Sequence, residues 1–157
     1  MKTHHEMVRE FNTTFGAHME KKPGFPPPLI ENMRERLIEE EHRELLESQN
    51  GRNLEGVLDA ICDLLYVTYG AADAYGFSPE LLSKAFREVH RSNMSKLWSQ
   101  KERDEHIAAR PDTELKFKEA MPGLYIATRT DGKVIKSPGY SPANLKAIIA
   151  IDRAIKA

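Results

Sequence analysis

The sequence predicts an all-α fold: a helical bundle completed by association of copies, followed by a small C-terminal hairpin and a short helix. Three observations predict it. Apolar residues recur at helical spacing through four segments of the first 98 residues. Proline- or glycine-bearing breaks separate those segments: KKPGFPPP at 21–28, SQNGRN at 48–53, and Gly76. The third segment is apolar on nearly all sides, more than three short neighbours in one small chain can cover.

Each element has its own signal. Val8, Phe11 and Phe15 place a first helix within residues 5–19. The prolines of 21–28 block helical hydrogen bonding and impose a loop. Residues 29–47 read as a second helix, with Met33, Leu37, Glu41, Glu44 and Leu45 on one stripe and Gly51 as a left-handed stop. Residues 54–75 form the third helix. Ser78, Pro79 and Glu80 combine a hydroxyl cap, a first-turn proline and an acid near the positive helix end, and so start a fourth helix running to about Lys96. The charged residues 99–119 carry only weak periodicity. Strand-like runs within 124–136 flank Asp131–Gly132, a hairpin signal, and Ser141–Pro142 caps a last helix reaching Ile155. The 157 residues make one domain, a core over about 5–98 with an extension over about 99–157.

Composition narrows the class. Twenty-three Lys and Arg against 24 Asp and Glu give a net charge of −1, without the basic excess of a non-specific nucleic-acid binder. A single cysteine, Cys62, excludes an internal disulfide. No apolar run approaches the roughly 20 residues of a membrane span, and MKTHHEMVRE offers no secretion signal. A cytoplasmic domain is expected. Charge is uneven locally: residues 31–47 hold seven acids and three arginines, whereas 84–110 hold seven basic residues and four acids. That contrast suits joint binding of cations and a polyanion, although ordinary solvated helix faces produce the same counts.

The acids carry the chemistry. In EEEHRE (39–44), Glu40 and Glu44 are four apart and Glu41 and Glu44 three apart, so they converge on one side of a helix. Glu41 and Glu44 also continue a stripe that should face inward. In the third helix Asp59 and Asp63 are four apart, and Asp63 stands among apolar residues. Inward carboxylates without a positive partner repel one another and lose hydration. Either Arg34, Arg36 and Arg43 pair with them, or a hard divalent cation, Mg²⁺ or Mn²⁺, sits among Glu40, Glu41, Glu44, Asp59 and Asp63.

Basic and polar residues follow. In VHRSNMSKL (89–97), Asn93 and Lys96 share a helix face, as do Arg91 and Ser95. Lys and Arg give charge-assisted bonds to phosphate oxygens; cations in a last helical turn also oppose the macrodipole. The tail DGKVIKSPGY (131–140) adds Lys133, Lys136 and Tyr140, which can close over an anion or simply protect a sheet edge.

LIEEEHREL (37–45) followed by LDAICDLLYVTYGAADAYG (58–76) resembles the MazG-like all-α nucleoside triphosphate pyrophosphohydrolases, relatives of phosphoribosyl-ATP pyrophosphohydrolase and of the all-α dUTPases. HRSNMSK (90–96) and DGKVIKSPGYSP (131–142) are similar to the phosphoribosyl-ATP pyrophosphohydrolase-like subgroup, and the resemblance spans about 5–142. Glu41, Glu44 and Asp63 match the family pattern ExxE…ExxD. Ala60 stands where the family has glutamate, with Asp59 beside it.

The resemblance implies four-helix packing in a homodimer or homotetramer. It also implies Mg²⁺-dependent cleavage of a (d)NTP to (d)NMP and pyrophosphate, in control of nucleotide pools. Two or more ions would bridge Glu40, Glu41, Glu44 and Asp63, with Asp59 as a further candidate, and Glu40 or Glu41 would orient or deprotonate the attacking water. Arg91, Lys96, Lys133 and Lys136 would stabilise the pyrophosphate, and Asn93 would lie near the nucleotide. Phe11, Asn12, Phe15, Tyr66 and Trp98 are candidates for the base pocket. A phosphoribosyl-ATP-type activity and a non-enzymatic, divalent-ion-regulated interaction module are the competing readings.

Overall fold

The computed structural model describes residues 1–155. In chain order the elements are α1 (His4–Thr14), α2 (Pro28–Asn50), α3 (Leu54–Ala74), α4 (Pro79–Met94), β1 (Trp98–Ser99), α5 (Gln100–Ala109), β2 (Lys116–Met121), β3 (Leu124–Thr128), β4 (Val134–Ile135) and α6 (Leu145–Ile155). They divide into two compact units: Met1–Ser83 with the residues from Ile149 onward, and Lys84–Ile148.

In the first unit, α1 and α2 both pack on α3. A capping box fixes the start of α1: the Thr3 hydroxyl accepts from the Glu6 amide, and the Glu6 carboxylate accepts from the Thr3 amide at 2.6 Å. The helix stops at Thr14, short of the expected 19, because Gly16 takes φ +67°. Pro28 opens α2 in its first turn. The stop after α2 differs in detail from expectation: Gly51 stays right-handed, and Arg52 takes the left-handed position at φ +53°. The Asn53 side chain then caps α3 by accepting from the Gly56 amide at 3.1 Å.

Arg52 is the pivot of an antiparallel helical hairpin, and the contacts fix its register. A Cβ built on Gly56 would meet the Ser48 hydroxyl, and one built on Gly70 would lie 2.7 Å from the Arg34 guanidinium. Ser48 and Gly56 each lie four residues from Arg52, and Arg34 and Gly70 each lie eighteen. Eleven residues from the same pivot are Glu41 and Asp63. The hairpin therefore sets its two central acids face to face. Gly76 ends α3 at φ +73°, where any Cβ would collide with the Lys22 carbonyl.

The aliphatic side of α3 is not covered by its own chain. Leu54 is 82% and Leu58 65% exposed, and Ile61 and Leu65 on the same stripe are also exposed. Arg34, one of the arginines that could have paired with the glutamates, is buried against Gly70 instead.

The second unit holds more β-structure than the single hairpin expected. β3 is its spine: β2 runs along one edge, and β1 and β4 lie end to end along the other, all antiparallel. Trp98 pairs with Tyr125, Lys116 with Thr128 and Ala127 with Ile135. The β3–β4 hairpin turns at Gly132, φ +80°, as Asp131–Gly132 signalled. A second capping box, Ser99 with Glu102, starts α5. The last helix begins later than expected. Asn144, not Ser141, caps α6 by accepting from the Ala147 amide at 3.1 Å. Among the described residues no helix is long and apolar enough to cross a membrane.

Candidate active site

On the seam between α2 and α3, Glu41 has Asp63, Glu44, Glu40 and Asp59 around it. Partial burial is the largest cause raising its carboxyl above the usual range; the four negative neighbours, Asp63 first, push in the same direction. All five carboxylates singled out in the sequence thus act on one point. No hydrogen bond or ion pair among the described residues ties any of them to a cationic side chain: Arg43 meets Glu47 at 3.8 Å, and Arg34 lies in the hairpin seam at Gly70.

The donor chemistry, all carboxylate oxygen, fits a hard cation such as Mg²⁺ or Mn²⁺. Among the described residues no three His, Cys, Asp or Glu side chains are drawn close enough to hold one ion. Glu40, Glu44 and Asp59 are exposed, and Glu41 and Asp63 are half-buried. The set therefore converges electrostatically without being closed into a cage. Ala60, at the position where the resemblance has a glutamate, is buried, and Asp59 beside it is the exposed acid.

A polar cluster that sequence reading missed lies farther along the same unit. Asp73 is 1% exposed. It accepts from the Asn12 amide at 3.0 Å, meets the His5 ring at 3.0 Å and lies 3.6 Å from the Arg9 guanidinium. His5 stacks on Tyr69. Burial pulls the Arg34 guanidinium below its ordinary value, and Asp73 partly opposes that shift. One face of α1 thus grips one carboxylate of α3. The available signal was a third aspartate, Asp73, inside an apolar helix. Asn12 is consumed in this grip and does not face a base.

Phe11, Phe15 and Tyr66 do come together. The rings of Phe11 and Phe15 are 4.3 Å apart, and Phe11 meets Tyr66 edge-on at 5.6 Å.

In the second unit the basic candidates separate into two roles. Lys96 donates to the Asn93 side chain at 2.7 Å, Lys136 sits 4.0 Å over the Tyr140 ring, and Tyr140 contacts the Ser92 hydroxyl at 3.3 Å. The Ser92 contact, then Lys136 and Lys96, hold the Tyr140 hydroxyl below its usual range. Asn93, Lys96, Lys136 and Tyr140 therefore form one polar group. Arg91 is engaged elsewhere: it makes two 2.8 Å bonds to Glu88 and reaches the Ser141 and Pro142 carbonyls. It fastens the tail to α4. Lys133 lies in the hairpin turn, its amide donating to Asp131. Trp98 is buried, its indole donating to the Ile135 carbonyl at 3.0 Å, so it offers no free face to a base.

An acid-bearing antiparallel helical hairpin with an additional helix packed on it agrees with the class of MazG-like all-α nucleoside triphosphate pyrophosphohydrolases, to which the family matching this chain belongs. Within that class the chain belongs to the phosphoribosyl-ATP pyrophosphohydrolase family, whose model matches residues 8–93. That span takes in the whole α2–α3 hairpin and ends at Asn93. An uncharacterized protein of Acanthamoeba polyphaga mimivirus is 38% identical over 80 residues, 48% of this chain and 32% of that one. The matched stretch is thus about a third of the relative's own length.

Proposed function

We propose that this chain is a metal-dependent pyrophosphohydrolase that cleaves a (d)NTP to the (d)NMP and pyrophosphate, with Glu40, Glu41, Glu44, Asp59 and Asp63 as its acidic set. One observation carries the reading: four carboxylates bear on Glu41, and no cationic side chain among the described residues pairs with any of the five. Family membership supports the type of activity; the nucleotide and the ion belong to the proposal.

Glu41, Glu44 and Asp63 would hold Mg²⁺ or Mn²⁺, two or more ions per site, with Glu40 and Asp59 completing the set. Bound there, such ions offset triphosphate charge and lower the pKa of a coordinated water. The chain's own work is proton handling and alignment. Glu40 or Glu41 takes one proton from a water whose oxygen bonds to phosphorus. The bridge between the α and β phosphates opens, and the electron pair leaves with the departing phosphate oxygen. In the second unit Asn93, Lys96, Lys136 and Tyr140 offer an anion hydrogen-bond donors and positive charge. Arg91 acts there as a positioning residue for the tail.

A second copy of the chain would cover the Leu54–Leu58–Ile61–Leu65 stripe, giving a homodimer or homotetramer. A monomer in sedimentation at micromolar concentration contradicts that assignment. The activity is tested by incubating the full chain with ribo- and deoxyribonucleoside triphosphates and phosphoribosyl-ATP in Mg²⁺ or Mn²⁺, and assaying pyrophosphate. Release from at least one nucleotide is expected. Absence of product from the whole panel with either ion refutes the proposal.

A further inference from the structure

We infer that Phe11, Phe15 and Tyr66 form a stacking ledge for the nucleotide base, one that ranks bases by the area of their faces and not by their hydrogen-bonding edges. The inference rests on the pyrophosphohydrolase reading and names what that site selects.

The three rings are held in a fixed mutual geometry, yet remain open to solvent. Phe15 is 71% exposed, and Phe11 and Tyr66 are exposed as well. Tyr66 follows Asp63 by three residues and Asp59 by seven, so all three share one side of α3. At about 100° per residue, this side lies roughly 140° around the helix from the Leu54–Leu58–Ile61–Leu65 stripe, and Tyr66 itself roughly 110°. The ledge is therefore distinct from the surface assigned to a second copy. Its neighbours on α3 explain its position. Tyr69 and Asp73 meet α1, whereas Asp63 and Gly70 face α2. Tyr66 lies between these two directions, and Phe11 closes on it from α1.

The absence of edge reading has a specific cause. Asn12, the amide beside Phe11, is buried with its nitrogen donating to Asp73 at 3.0 Å. The Tyr66 hydroxyl is the one polar side-chain atom of the three rings. Two phenyl faces attract any π-surface, and stacking grows with ring area, so purines should be preferred to pyrimidines while adenine and guanine are treated nearly alike.

The test uses the full chain, wild type and the variants Phe15→Ala and Phe15→Trp. The exposure of Phe15 means that its truncation leaves no internal cavity. KM and kcat are measured for ATP, GTP, CTP and UTP, and AMP and CMP binding is measured by calorimetry without turnover. In Phe15→Ala, KM for purines should rise on the order of tenfold, and more than for pyrimidines. Phe15→Trp should restore it. Unchanged KM and monophosphate binding in Phe15→Ala overturns the ledge. So does a wild type that prefers one purine over the other a hundredfold. A Phe15→Ala variant that loses subunit association while keeping purine preference assigns the rings to an interface and also overturns the ledge. If the wild type releases no pyrophosphate but binds AMP more tightly than CMP in a Phe15-dependent way, the ledge stands and the pyrophosphohydrolase reading falls.

Discussion

Replacing Glu41 with Gln should move stability and activity in opposite directions. Four carboxylates surround Glu41. Each like charge on a partly solvated helix seam costs roughly 0.2–0.5 kcal/mol, by analogy with pairs three or four residues apart on one helix. The side chains are partly in water, and the Debye length is about 8 Å at physiological salt, so about 1 kcal/mol of total relief is reasonable once Glu41 is neutral. In a chain of 157 residues, that raises Tm by roughly 2–4 °C in EDTA. The sign agrees with the raised Glu41 carboxyl. Its proton is held more tightly folded than unfolded, so its stabilising effect is fullest below the ordinary carboxylate range and is lost as pH rises through the raised value. Mg²⁺ at about a hundred times its Kd should stabilise the wild type by about 2.7 kcal/mol, or roughly 5–10 °C. Glu41→Gln should lose most of that rise, and turnover should fall about 10²–10⁴-fold for loss of the proton acceptor. Scanning calorimetry with and without Mg²⁺ and a pyrophosphate assay measure both. A variant less stable than wild type in EDTA, or one with full turnover, refutes the reasoning.

Two further outcomes test other parts of the structure. Gly70→Ala would gain up to about 1 kcal/mol in helix propensity but would press a methyl against the buried Arg34 guanidinium at 2.7 Å, and overpacking costs about 1–3 kcal/mol. A net loss of about 1 kcal/mol in urea unfolding is expected; a gain would mean that Arg34 does not fill that space. Glu88 is held down to about 2, first by its Arg91 bonds and then by the Asn144 amide. Its folded value lies below its unfolded one, so its contribution is complete above the usual carboxylate range and is lost as pH falls toward about 2. The Asn144 amide NMR shift should titrate with that low midpoint, and Glu88→Gln should abolish the titration.

The features legible in the sequence were those written in short-range spacing. The helical segments, the proline loop, the Asp131–Gly132 turn and the two acid-bearing stripes all depend on residues within a few positions of one another. Several of the misses depended on partners far along the chain. The tie of Arg91 to the tail was not legible, because its carbonyl acceptors are 50 and 51 residues away. Asp73 gave only a weak local signal, because its ligands His5 and Asn12 lie 68 and 61 residues upstream. β1 escaped notice because Trp98–Ser99 is two residues long and pairs with Tyr125 and Leu124 only through tertiary structure, and β2 because the charged run 116–121 shows no clear apolar alternation although it pairs with the adjacent β3. Even the left-handed residue after α2 moved from Gly51 to Arg52, a choice between adjacent positions that local propensity alone would have made the other way.

The α2–α3 hairpin carries charge at two levels along its length, and among the described residues neither level joins an arginine to the five acids by a hydrogen bond or ion pair. At the Arg34–Gly70 level a glycine makes room for a guanidinium, and Asp73 lies near enough to act on it. Asp73 acts on that guanidinium only at a distance: the Arg34 Nε and Nη2 atoms are buried without a hydrogen-bond partner among the described residues. Seven residues along α2, at the Glu41–Asp63 level, carboxylates bear on one another, and Arg43, two residues from Glu41 and so on another side of the helix, meets Glu47. A seam whose neighbouring arginines leave its gathered carboxylates unpaired among the described residues fits the proposal of a positive charge supplied from outside the chain. The Glu41→Gln experiment in EDTA and in Mg²⁺ tests that proposal directly.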